Sequence, residues 1–156
     1  MTRLEEVTYE AGRSALADQE SVVSGIRQRA GTLLAAHALV ASFLGATTVH
    51  ARGLHALGWV AIAALVAGLV IAAIVLAPWR LKFAVDAQEL YDEFYEQAAG
   101  EAEANTLGWL VSVGYGYQAV REENTWKVRR MSWLSGALGV VMIVQTLAWL
   151  AALAVN

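Results

Sequence analysis

All charged residues in this chain but Arg52 fall in two blocks, and the sequence between and after them is largely apolar. Three stretches carry no formal charge: Ala30 to Ala51, Ala56 to Trp79, and Met131 to Asn156. A helix needs about 20 mostly apolar residues to cross a hydrocarbon core of ~30 Å, at ~1.5 Å of rise per residue. In lipid every backbone N–H and C=O must be bonded within the protein, so each stretch reads as a helix. The pattern predicts an all-α membrane protein with spans at 30–51, 56–79 and 131–155. A soluble helical protein is the competing class. Hydrophobic residues make up 58% of the chain, and all its charges but one lie in two blocks, which is unusual for a soluble domain.

The basic residues set the expected orientation. Ten of the eleven Lys and Arg lie before Ala30 or between Arg80 and Arg130; only Arg52 lies in the 50–55 link. By the positive-inside rule the N-terminus and the 80–130 segment face the cytoplasm, and the 50–55 link and the C-terminus face outward. Arg27, Arg29, Arg80, Lys82, Lys127, Arg129 and Arg130 flank the expected inner ends. All fourteen acidic residues share that side, for a net of −4, which disfavours nucleic acid as a partner. The N-terminus is polar through Glu20, so no cleavable signal peptide is expected.

The polar blocks also carry helical spacing. Residues 1–29 read as an amphipathic helix with Leu4, Val7, Ala11, Ala15, Val22 and Ile26 on one stripe, running on into the first span. Thr47, Thr48, His50, Arg52, Gly53 and His55 suit a tight outer turn. Proline lacks an N–H and disfavours a helical residue before it, so Pro78 predicts a kink or restart, with Pro78 at the first position of a new helix. After it, Phe83, Ala87, Leu90, Phe94 and Ala98 form an apolar stripe beside an acidic one of Asp86, Glu89, Glu93 and Glu96. Gly100 and Asn105–Thr106 punctuate the chain. Leu110, Val113, Tyr117, Val120, Asn124 and Met131 then repeat at helical steps. The expected architecture is three spans extending into a cytoplasmic bundle, made of a helical hairpin at 80–130 and the N-terminal helix.

Candidate chemistry is sparse. His37 lies inside the first span, and intramembrane ionisable groups usually face a bundle interior or a wet cavity. It reads either as a proton-sensitive or pore-lining group or as a neutral histidine bonded to a neighbouring helix. The Gln145 amide, in the third span, suits an interhelical hydrogen bond better than a pore lining. Gly45, Gly68 and Gly136, with Ala41, Ala64 and Ser132 four residues earlier, are small-residue pairs that let helices approach closely. Ser112-Val113-Gly114-Tyr115-Gly116 resembles a potassium-channel filter. It lacks a preceding apolar pore helix and lies on the expected inner side, so a helix crossing is the better reading. The acidic residues at 86–96 lack calcium-loop geometry and read as a solvated face. His50 and His55 have no cysteine beside them, so no zinc site is expected. With no nucleophile–base pair, phosphate loop or nucleotide fingerprint, neither catalysis nor a cofactor is expected.

The layout resembles small bacterial membrane proteins of the SLATT and Pycsar transmembrane-effector type. The likeness rests on Asp18-Gln19-Glu20 through Arg27-Gln28-Arg29-Ala30 entering the membrane, on the Ala77-Pro78-Trp79 exit, and on the Asn124-to-Arg130 approach to a last span. It departs from that type in having a third span. The resemblance implies a homo-oligomer in the bacterial inner membrane that perforates or perturbs the bilayer. Alternatives are a membrane anchor or scaffold whose hairpin docks a cytoplasmic protein partner, and a cation channel using 112–116.

Overall fold

The structure is a computed structural model that describes residues 3–84 and 106–155. Among these residues the chain is helical, with no strand. Helix α1 runs Leu4–Val40, a π-helical turn occupies Ala41–Gly45, and α2 follows at Ala46–Arg52. Helix α3 is Ala56–Leu76, and α4 is Thr106–Ala154. The segments Leu4–Ala51, Ala56–Leu76 and Gly108–Ala154 are each long and apolar enough to cross a membrane. The chain thus has the build of a membrane protein. The expected acidic stripe at 86–96, most of the apolar stripe at 83–98, Gly100 and Asn105 lie outside the described residues.

Contacts divide the chain into two compact units. The first draws on residues 3–23, 79–84 and 106–128. Here α1 and α4 run parallel, because partners advance together from Gly12 against Gly114 to Gln19, whose Nε2 donates to the Arg121 carbonyl at 3.1 Å. Glycine is required at the crossing. A β-carbon on Gly12 would lie 2.6 Å from the Gly114 carbonyl oxygen, and one on Gly114 would lie 2.9 Å from that of Thr8. Residues 112–116 are thus part of a continuous helix, with their carbonyls committed to the helical ladder. A filter needs carbonyls free to face an ion, so the channel reading of this segment is set aside.

The buried face of α1 in this unit differs from the expected stripe. Leu16 and Val23 are buried, whereas Leu4, Val7, Ala11 and Val22 are exposed. The close backbone approach at Gly12 decides which face turns inward, and it brings Thr8, Tyr9 and Gln19 with it. Tyr9 and Tyr117 meet with ring centroids 5.9 Å apart. Burial, and then the Tyr9 hydroxyl, hold the Tyr117 phenol above the usual value, with Arg13 pulling the other way. The folded unit therefore resists forming the tyrosinate, so this contribution to stability is present below the ordinary phenol value of about 10 and is lost as pH rises through the elevated one. Tyr9→Phe should make Tyr117 ionise at lower pH, read by ultraviolet titration.

The exit from α3 is also a correction. The helix stops at Leu76, Ala77 turns to φ −53, ψ 150, and residues 77–84 form no helix. The expected restart with Pro78 at the first helical position does not occur. Side chains of α4 hold the exit segment instead. The Asn124 amide is fully buried; its Nδ2 donates to the Lys82 carbonyl at 2.6 Å, and its Oδ1 accepts from the Lys82 N–H at 3.4 Å. Lys127 Nζ donates to the Arg80 carbonyl at 2.9 Å. Asn124→Ala would leave both Lys82 backbone groups without these partners, at a cost of about 2 kcal/mol. Thermal unfolding in detergent micelles would measure it.

The second unit draws on residues 24–78 and 129–155. Its α3 buries a face of small residues, Gly58, Ala61, Gly68 and Ala72, followed by Val75. Small side chains let helix axes approach, and dispersion contacts then hold the helices together in lipid. Trp149 packs with Ala61 and Ala148, against Val40, Leu44 and Ile62. Its ring touches the faces of Gly45 and Gly58: β-carbons there would lie 3.2 Å and 3.7 Å from it.

The expected polar turn around 46–58 is shorter than its composition suggested. Thr47 and Thr48 are helical, and their hydroxyls donate back to the Phe43 and Leu44 carbonyls. Side-chain bonding to the preceding turn lets polar residues stay in a helix. Among the described residues only Gly53, at φ 73, takes a positive φ, and His55 beyond it is extended. The positive φ favours glycine and ends α2, leaving a link of Gly53, Leu54 and His55.

Candidate functional site

The second unit encloses one polar node, built from all three of its long helices. His37 on α1 and Gln145 on α4 are both 0% exposed. The His37 ring nitrogen Nδ1 is hydrogen-bonded to Gln145 Oε1. Gln145 Nε2 donates to the backbone carbonyl of His37 at 3.2 Å. The other ring nitrogen, Nε2, faces the Leu138 carbonyl at 3.4 Å. On α3, Gly68 supplies the wall: a β-carbon there would lie 2.9 Å from the ring's Cε1 and 3.0 Å from Nε2.

Each side chain is placed by its local sequence. On α4, Met131, Ser135, Leu138, Gln145, Ala148, Trp149 and Ala152 are buried, and these positions step around one face at helical spacing. Gln145 lies seven residues after Leu138, so both lie on the face of α4 that meets the ring, one at Nδ1 and the other at Nε2. Gly68 belongs to the small-residue face of α3. The node therefore brings together three residues singled out separately in the sequence: His37, Gln145 and Gly68.

The remaining candidates lie elsewhere. Gly45 meets Trp149 rather than a polar group. A β-carbon on Gly136 would meet nothing within 4 Å beyond its own helix backbone among the described residues. His50 and His55 are exposed. Among the described residues, no three His, Asp or Glu side chains gather as metal ligands would.

Sequence reasoning missed two parts of this arrangement. The Leu138 carbonyl is a backbone group, invisible to side-chain patterns. The Asn124 clamp looked like another helical repeat position. A polar side chain recurring on an otherwise apolar face was the available signal, because burying an amide is costly unless it is hydrogen-bonded.

Away from the ends of its helices the outer surface of this unit is mostly apolar. Leu39, Phe43, Val60, Val66, Leu69, Val70, Val140, Ile143 and Leu147 are all exposed. Trp59 and Trp133 are exposed as well, and indoles are enriched where a bilayer meets water. No protein family, curated protein or solved structure matches the chain.

Proposed function

We propose that this chain is a non-enzymatic membrane scaffold, embedded through the unit of residues 24–78 and 129–155 and displaying its remaining helices to a protein partner. One observation carries the reading. The polar side chains of the node turn inward and hydrogen-bond to one another, while the outward surface is mostly apolar. Such a unit suits lipid on its outside and offers little lining for an ion path. The distribution of Lys and Arg supports an N-terminus on the cytoplasmic side, and the SLATT and Pycsar likeness supports a bacterial inner membrane. Self-association is part of the proposal. The exposed Ser132/Gly136 pair on α4 is where a second copy could approach closely.

A second reading is the membrane-perturbing effector implied by the SLATT and Pycsar likeness. It is favoured by the presence of His37 and Gln145 within the spans, where a rearranged assembly could turn them toward water. Purified protein in liposomes separates the two, with dye and ion release measured beside oligomeric state. The scaffold reading expects tight vesicles and tolerated overexpression. Leakage by a defined oligomer, altered by His37→Leu or Gln145→Leu without loss of insertion, would replace it with the effector reading.

A further inference from the structure

The hydrogen-bond inventory around His37 is unbalanced, and the imbalance carries an inference beyond the scaffold reading. It rests on that reading only in taking this unit to span a bilayer. The Gln145 amide has one favourable orientation, because its Nε2 donates to the His37 carbonyl. Its Oε1 therefore faces ring Nδ1 as an acceptor. The other ring nitrogen faces a second acceptor, the Leu138 carbonyl. A neutral imidazole has one donor and one acceptor nitrogen. It cannot match two acceptors.

The alternatives can be ranked. With the proton on Nε2 and the amide as found, two lone pairs oppose each other at Nδ1 and Oε1. Reversing the amide moves the mismatch onto the His37 carbonyl. With the proton on Nδ1, the mismatch falls on the Leu138 contact, which at 3.4 Å is the most distant from the ring. The neutral ring is thus best accommodated as the Nδ1–H form. One further proton, taken up at Nε2, turns the remaining mismatch into an N–H···O=C bond. Bonds from a charged donor are about twice as strong as neutral ones.

We infer that His37 is a proton-binding site within the spans, neutral as the Nδ1–H form and taking its proton at Nε2 against the Leu138 carbonyl. No other charge competes nearby along the packed elements. Ala30–Val40 of α1, the π turn, the whole of α3 and α4 from Met131 onward hold no ionisable side chain except His37. The nearest along the chain are Arg27 and Arg29 on α1, Arg129 and Arg130 on α4, and His50, Arg52 and His55 around the Gly53 link. One turn from Leu138 on the same buried face of α4, the Ser135 hydroxyl is 4% exposed and has no partner among the described residues. It offers a polar step between the node and the Arg129–Arg130 end.

The test uses the whole protein in phosphatidylcholine vesicles, labelled with ¹⁵N at histidine and ¹³C at leucine carbonyls. Solid-state NMR follows the ring nitrogens as pH falls from about 8 to about 5, the range in which histidines commonly change charge. His37→Asn identifies the His37 signals against those of His50 and His55. The expected result is a neutral ring protonated at Nδ1 at the alkaline end. It then gains one proton at Nε2, with a new through-space contact to the Leu138 carbonyl. A neutral ring protonated at Nε2, or no second proton at the acid end, would overturn the inference. Gln145→Leu should abolish the preference for Nδ1, and an unchanged preference would also count against it. Release of the protein from vesicles by carbonate would instead count against the membrane reading, so the two failures are distinguishable.

Discussion

Gly68→Val should lower the stability of the three-helix unit by about 3 kcal/mol. A β-carbon at this position lies 2.9 Å from the His37 ring, closer than side chains tolerate, and valine adds two methyl groups beyond it. Overpacking a filled interior costs roughly 1–3 kcal/mol. Displacing the ring also breaks the His37–Gln145 bond, and interhelical hydrogen bonds in membranes are worth ~0.6–1.7 kcal/mol. Unfolding in mixed detergent micelles, followed by tryptophan fluorescence, would read the loss. Adding His37→Ala should recover part of it, because contacting residues do not act additively. Gly139→Ala is the matched control. Its new methyl meets nothing within 4 Å, and alanine favours the helix by roughly 1 kcal/mol, so stability should hold or rise. Equal losses at positions 68 and 139 would show that the imidazole contact is not the cause.

Gly12→Val should have a comparable effect in the other unit, of about 3 kcal/mol, through a different clash. The obstacle is the Gly114 carbonyl oxygen, 2.6 Å from the new β-carbon. Backbone cannot rotate aside as a side chain can, so the two helices must separate. Separation would lengthen the Gln19–Arg121 hydrogen bond and part Tyr9 from Tyr117. Hydrogen exchange should therefore quicken at the amides of residues 8–19 and 110–121. Unchanged protection would mean that the helices are not in backbone contact at this point.

The spans were legible because lipid imposes one demand, an uncharged helix of sufficient length, and composition reports it directly. The identity of the inward-facing residues was less legible. His37 and Gln145 stood out as polar groups on apolar helices. Their pairing could not be read, since nothing in one sequence fixes the relative rotation of two helices. In residues 4–26 the apolar stripe pointed to one face, while the backbone approach at Gly12 selected another. Hydrophobicity could not reveal that choice, because glycine contributes by what it lacks. Pro78 announced a break, but the segment beyond it is held by Asn124, more than forty residues away in sequence.

The π-helical turn at Ala41–Gly45 has a consequence for changes in chain length. Eight residues separate His37 from Gly45, which on an unbroken α-helix is about 80° around the axis. A π turn absorbs one extra residue, so the effective separation is seven, or about −20°. That phase shift places the glycine that meets Trp149 on the same face as the histidine that meets Gln145. Losing one residue from the turn would relax it to an ordinary α-helix while leaving both contacts in phase. Losing one between His37 and the turn, with the turn kept, would swing Gly45 by about 100° relative to His37 and unseat one of the two. This short stretch is therefore where related chains can differ by a single residue in length and keep the same interior.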